Sequence, residues 1–180
     1  MKRYSILLLI FSVIALVSFS MSTLAHADDT SIPMTQAHID RIRTNCTQAQ
    51  SSLFQLHATD ALLRVNRGEV YESISTKLME PFNSRATLNS LDATLLVADA
   101  TLYDAQLTTF RNDYQQYEQA LSKLLNMDCK NQPVEFYDGV TDARNKRSIV
   151  HLDTVNLQTT IQTYKTDFET FAKQFEGGTS

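Results

Sequence analysis

The chain has 180 residues, with 16 Lys and Arg against 20 Asp and Glu for a formal net charge of −4. That acidic balance argues against nucleic acid as a partner, because phosphate binding depends on an excess of Lys and Arg. At this length one ordinary domain buries roughly two-thirds of the surface of its unfolded chain, and the 43% hydrophobic content is enough for one core.

The first 27 residues read as a secretory signal. Lys2 and Arg3 give the positive start, Ile6 to Phe19 the apolar run, and SMSTLAHA a small-residue exit ending in Ala25-His26-Ala27, so cleavage is expected before Asp28. The rival reading is an uncleaved membrane anchor. The unbroken apolar run falls short of the ~20 residues a spanning helix needs, which favours removal. No cysteine follows the exit site, as a bacterial lipoprotein would require. The expected organisation is signal peptide 1–27, linker 28–34, helical bundle domain 35–176 and flexible tail 177–180. The expected location is extracytoplasmic, secreted or at the cell envelope, touching the membrane only through an uncleaved signal segment.

Glycine and proline are sparse beyond the signal segment, which predicts long helices. From Ile39 the apolar spacing alternates three and four through Ile42, Cys46, Ala49, Leu53, Leu56, Asp60, Leu63, Arg67, Val70 and Ile74, a coiled-coil type seam interrupted by two charges. Thr35 is placed to cap this helix, and Pro81, lacking an N–H, is expected to end it near residue 80. Gly68 is a candidate bend. PFNSRATLNS, residues 81–90, contains the expected turn, with Ser84 or Ser90 as the next cap. The second helix carries Leu88, Leu91, Leu95, Ala98 and Leu102, then Phe110, Tyr114, Tyr117, Leu121 and Leu124. The step from Leu102 to Phe110 breaks a strict heptad and predicts locally straighter packing near Tyr103 and Leu107. It should end near Asn126. Asn131 or Gln132 then caps a third helix with Pro133 in its first turn. The seam of that helix is Val140, Ala143, Arg147, Val150, Thr154, Leu157, Ile161, Tyr164, Phe168, Phe171 and Phe175, and Gly177 ends it. The expected fold is all-α: an elongated antiparallel three-helix bundle built on a coiled-coil-like hairpin.

Cys46 and Cys129 are the only cysteines. In an oxidising compartment they predict one disulfide, with two buried thiols as the alternative. A hairpin that turns between 81 and 90 brings the two to similar levels. The same register places Arg147 beside Asp60, with Arg111 and Asp113 nearby, so Asp60, Arg67 and Arg147 are candidates for a polar layer across the bundle. Buried charges of this kind need partners or a route to solvent, and they commonly do no more than fix register.

DARNKRSIVH, residues 142–151, concentrates basic groups on an acidic protein. Arg144, Arg147 and His151 share one helical face and form a candidate site for a phosphate, sulfate or carboxylate. The simpler reading is neutralisation by Asp60, Glu69 and Glu72. His57 and Asp60, one turn apart, supply two metal ligands where a site needs at least three. Neither GxSxG nor HExxH occurs, so neither an enzyme nor a cofactor is expected. The rings of Tyr164, Phe168, Phe171 and Phe175 have the spacing of a core seam. They would offer a partner surface only without a facing helix. Asn45-Cys46-Thr47 matches the N-glycosylation acceptor pattern but is uninformative here.

The stretches NCTQAQSSLFQLHATDALLRVNRGEVYESISTKLMEPFNSR and NQPVEFYDGVTDARNKRSIVH resemble exported proteins of reduced-genome candidate-phyla-radiation bacteria. That resemblance implies an export signal, a helical body and a bacterial source, and it carries over no activity and no site residue. Two functions remain open. The first is a non-enzymatic structural or protein-interaction role at the envelope or outside the cell, with an unidentified protein partner or self-association. The second is a ligand-binding module holding an anionic small molecule or surface polymer on the Arg144/Arg147/His151 face, joined by Arg64 or Arg67.

Overall fold

The computed structural model describes residues 34–176, with side chains through residue 174. The signal segment, its cleavage site, the linker up to residue 33, the Phe175 ring and the tail lie outside the described residues. Helix α1 spans Gln36–Ser73 and passes into a π-helical turn over Ile74–Met79. Helix α2 follows at Glu80–Leu88, α3 at Thr94–Leu125 and α4 at Pro133–Glu176. Among the described residues there is no strand. At 1.5 Å per residue the 44 residues of α4 extend ~66 Å.

The first rod is longer than expected because Pro81 does not end it. Ahead of the proline the helix widens, and Glu80 N–H bonds Ser75 O, five residues back. A π turn relieves both problems a proline brings to a helix interior: the missing donor and the clash of its ring with the preceding turn. The rod therefore runs to Leu88 and reverses at Asn89–Ala93, where Ser90 takes a left-handed conformation with φ 56°. Neither Ser84 nor Ser90 caps α3; Asp92 accepts from both the backbone N–H (3.2 Å) and the hydroxyl (2.8 Å) of Thr94. Thr35 caps α1 through His38 N–H. The second turn is organised by the Asp128 carboxylate, which accepts from the backbone of Lys130 and Asn131 before Pro133 opens α4. Helix α1 continues unbroken through Gly68.

The topology follows from pairs of contacting residues. Contacts of α1–α2 with the α3–α4 turn and α4 advance together, from Cys46–Cys129 at the turn through Asp60–Arg147 to Asn83–Tyr164. Those between the first rod and α3 run in opposite directions, from Asp60–Tyr117 through Tyr71–Tyr103 to Asn83–Leu96. The rods alternate down, up, down, as an antiparallel three-rod bundle requires.

The core corrects the expected seam of the second helix. Leu95 and Leu102 are 64% and 51% exposed, while Ala93, Leu96, Tyr103 and Leu107 are buried. Counting back from Phe110 by three and four gives Leu107, Tyr103, Ala100 and Leu96, so the heptad is unbroken and there is no insertion to unwind. The paired leucines at 95–96 and the run at 88–91 offered two phases, and packing selects the one continuous with the aromatic half. On α4 the seam takes Asp153 and Thr160 as buried members, and Phe168 is a half-covered flank whose ring packs edge-on to Phe82 at 4.9 Å. Phe171 meets the same Phe82 ring at 5.5 Å.

The lower core closes around the disulfide. The Cα atoms of Cys46 and Cys129 lie 5.6 Å apart, and both residues are buried among Leu121, Leu124 and Phe136. Here α3 and α4 approach so closely that a Cβ on Gly139 would fall 2.6 Å from Leu124 Cδ2. Gly139→Ala sets that overlap against about 1 kcal/mol of helix propensity. Gly139→Val adds bulk with nowhere to go and is expected to lower stability by about 2 kcal/mol, read by urea unfolding.

Candidate functional site: a cationic groove between α1 and α4

Between Asp60 and Tyr71 no residue of α1 is buried. The two pegs are eleven residues apart, three helical turns on one stripe, and the positions between them on that stripe are Arg64 and Arg67. Guanidinium groups hold their charge at any biological pH and resist full burial. The helix therefore stands off its neighbours over this stretch and leaves grooves along both sides.

One groove, of about 350 Å³, is lined by Arg64, Arg67 and Leu63 of α1, by Phe110 and Tyr114 of α3, and by Arg147, Val150 and His151 of α4. The Asp60 carboxylate also lines it. Arg147 donates to this carboxylate through Nε at 2.7 Å and Nη2 at 3.2 Å, and the Tyr117 hydroxyl donates at 2.7 Å. Burial by itself would raise the Asp60 pKa; hydrogen bonds from Arg147 and Tyr117, with the Arg147 charge, outweigh it and hold the carboxyl below the usual range. Burial and the same carboxylate push the Tyr117 phenol up, so it stays protonated and donates.

Phe110, Tyr114 and Tyr117 give the groove an aromatic lining, with successive ring centroids 6.4 and 6.0 Å apart, and the buried Tyr71 ring packs edge-on to Phe110 behind it at 5.7 Å. Arg64 lies over the Tyr114 ring with Cζ 5.0 Å from its centroid, a cation–π contact. Burial and the Glu118 carboxylate push the Tyr114 phenol up to about 12. Its hydroxyl donates to Glu118, which also holds His57.

Of the residues singled out from sequence, Asp60 and Arg147 meet directly, while Arg67 lines the groove without bonding Asp60. Arg147 and His151 share the groove, and Arg144, on the exposed side of α4, is not among its lining residues. Arg111 does not join the layer: it pairs with Glu72 across a second groove on the other side of α1. Asp113 faces Asp153 instead. Among the described residues no group of three or more His, Cys, Asp or Glu side chains is arranged to hold a metal ion. The sequence offered Arg64 or Arg67 beside this face, and the groove takes both. Tyr114 and Tyr117 were legible from sequence as seam residues of the second helix but not as site residues, because only the register of three helices sets them beside Asp60 and Arg64.

Chemically, the groove is dominated by positive charge. Three arginines and a histidine surround one carboxylate, and that carboxylate is already engaged. The side chains of Arg67 and His151 have no hydrogen-bond or ion-pair partner among the described residues. The groove on the far side is larger, about 490 Å³, but sets Glu69 and Glu72 against Arg64, Lys77 and Arg111 and is nearly neutral. No family model, no curated protein and no solved structure matches this chain. The disulfide is compatible with an extracytoplasmic location. Among the described residues no helix is long and apolar enough to cross a membrane.

Proposed function

We propose that this chain is an exported, non-enzymatic binding protein that holds an anionic group, from a small molecule or a surface polymer, in the groove between α1 and α4. The observation that carries this reading is the pair of uncommitted donors, Arg67 and His151, in a groove with an aromatic lining and beside Arg64 and Arg147. A phosphate, sulfate or carboxylate would take charge-assisted hydrogen bonds from Arg67 and His151, while an apolar body attached to it would lie against Phe110, Tyr114 and Val150. Asp60 keeps Arg147 fixed as one wall of the site.

Titration calorimetry with inorganic phosphate, a dicarboxylate and a sulfated polysaccharide tests this reading. A charge-assisted contact contributes ~1.5–3 kcal/mol, so Arg67→Glu is expected to weaken binding by at least about tenfold. Rising salt should weaken it further. Arg144→Glu, outside the groove, should have a much smaller effect. Equal losses from both variants would move the contact to the general basic surface of α4. A second reading, a structural or interaction role with a protein partner or self-association, draws support from exposed apolar residues such as Leu88, Leu95 and Leu102. It predicts association that responds to changes at those positions and is indifferent to Arg67→Glu.

A further inference from the structure

Helices α3 and α4 pack antiparallel, and three polar pairs cross their interface at a heptad interval. Asp99 faces Asp167, Gln106 faces Thr160, and Asp113 faces Asp153. The middle rung is a hydrogen bond, Thr160 Oγ1 to Gln106 Oε1 at 2.8 Å, with Thr160 buried. The outer rungs are acid against acid. Asp153 is only 7% exposed, and the Oδ2 atoms of both Asp153 and Asp99 are enclosed with no hydrogen-bond partner among the described residues. No ion pair among those residues reaches any of the four carboxyls.

Two carboxylates cannot both stay ionised at such a contact without mutual repulsion and desolvation acting together. One proton per pair removes both penalties. The protonated carboxyl becomes an O–H donor to the facing carboxylate, which reproduces the donor–acceptor pattern of the Gln106–Thr160 rung. We infer that the α3–α4 interface is an acid-closed ladder, in which Asp99–Asp167 and Asp113–Asp153 each take up one proton from solvent and lock the two helices together in mildly acidic surroundings. A divalent cation is the poorer occupant, since each rung supplies two carboxylates where calcium takes six to eight oxygens.

The surroundings fit this assignment. Asp99 faces Asp167 and Tyr164 of α4, and the Tyr164 hydroxyl is already donated to Asn83 of α2. Asp153 faces Asp113 of α3. Burial first, and the facing carboxylate second, raise the pKa of both Asp99 and Asp153. A carboxyl raised on folding contributes stability that is fully present below its unfolded pKa and is lost as pH rises through the folded one.

The test is thermal unfolding of the wild type and of Asp99→Asn/Asp153→Asn at about pH 5 and about pH 7.5, a window above the range where the Asp60 pair titrates. An asparagine amide donates to the facing carboxylate at either pH. The wild type is expected to melt several degrees higher at the acid end. The variant should lose most of that difference and melt above the wild type at the neutral end. An unchanged pH profile in the variant overturns the ladder. So does a rise in the wild-type Tm with millimolar calcium at neutral pH that the variant lacks, which would place a cation in the rungs. Carboxyl-carbon NMR titration of the wild type needs no variant. Asp99 and Asp153 titrating above the ordinary aspartate range support the ladder, and ordinary titration of both removes it.

Discussion

Replacing both cysteines, as Cys46→Ala/Cys129→Ala, is expected to lower the free energy of unfolding by up to about 4 kcal/mol. The bond closes a loop with a sequence separation of 83, so in the chain-entropy treatment its main effect is to restrict the unfolded chain. The folded side is prepared to survive the loss. Both sulfurs sit in an apolar cluster with Leu121, Leu124 and Phe136, where small apolar side chains remain well accommodated. Two further contacts tie the same end of α1 to the α3–α4 turn: Arg43 Nε to Lys130 O at 3.1 Å, and Gln50 Nε2 to Met127 O at 2.7 Å. Helix content by circular dichroism should therefore change little, while the urea midpoint falls. Hydrogen exchange should quicken first in the early turns of α1, which without the bond rest on those polar contacts and half-buried Ile42, Ala49 and Leu53. An unaltered urea midpoint would mean that the unfolded chain gains no freedom when the bond is gone.

The dependence on the disulfide follows from how lightly the middle of α1 is held, and that was only partly legible in the sequence. The alternation of three and four located the buried face of α1 from Ile42 through Asp60, and the same spacing set Asp60 opposite Arg147. Beyond Asp60 the pattern misled. Leu63 and Val70 fit the apolar rhythm but are exposed, because a continuing α-helix carries the stripe to Arg64 and Arg67, and packing resumes at Tyr71, Ser75 and Met79. The π turn then adds a residue per turn just where Pro81 demands room, a local adjustment that no periodicity records. On α3 the aromatic half had the right phase and the leucine-rich half offered two, so the burial of Tyr103 and Leu96 was decided by tertiary contact. The acid pairs were hidden for a different reason. Asp113 and Asp153 are forty residues apart, and only the register of two helices makes them neighbours.

Truncation of Asp60 to alanine is expected to destabilise the fold by about 2–3 kcal/mol, a few degrees for each kcal/mol in a chain of this size. The two partners respond unequally. The Arg147 side chain is 52% exposed and turns to water when released, so its own loss is small. Tyr117 is buried, and its hydroxyl would be left without an acceptor, which costs about 1–3 kcal/mol. Tyr117→Phe removes that hydroxyl while leaving Arg147 on Asp60, and should cost about 1 kcal/mol by itself. The double variant Asp60→Ala/Tyr117→Phe is then expected to be less damaged than the sum of the two singles, since no donor is orphaned. Strict additivity would show that the layer is not one network. The pH dependence separates this layer from the α3–α4 ladder. Asp60 is held below the ordinary range, so its stabilisation is present above the unfolded pKa and disappears as pH falls through the folded one. The gap between wild type and Asp60→Ala should therefore stay constant from neutral pH down to mild acid and close only in stronger acid. The ladder stabilises over the opposite interval, and the two together place the stability maximum of the wild type in mild acid, between the loss of the ladder protons above and the loss of the Asp60 pair below.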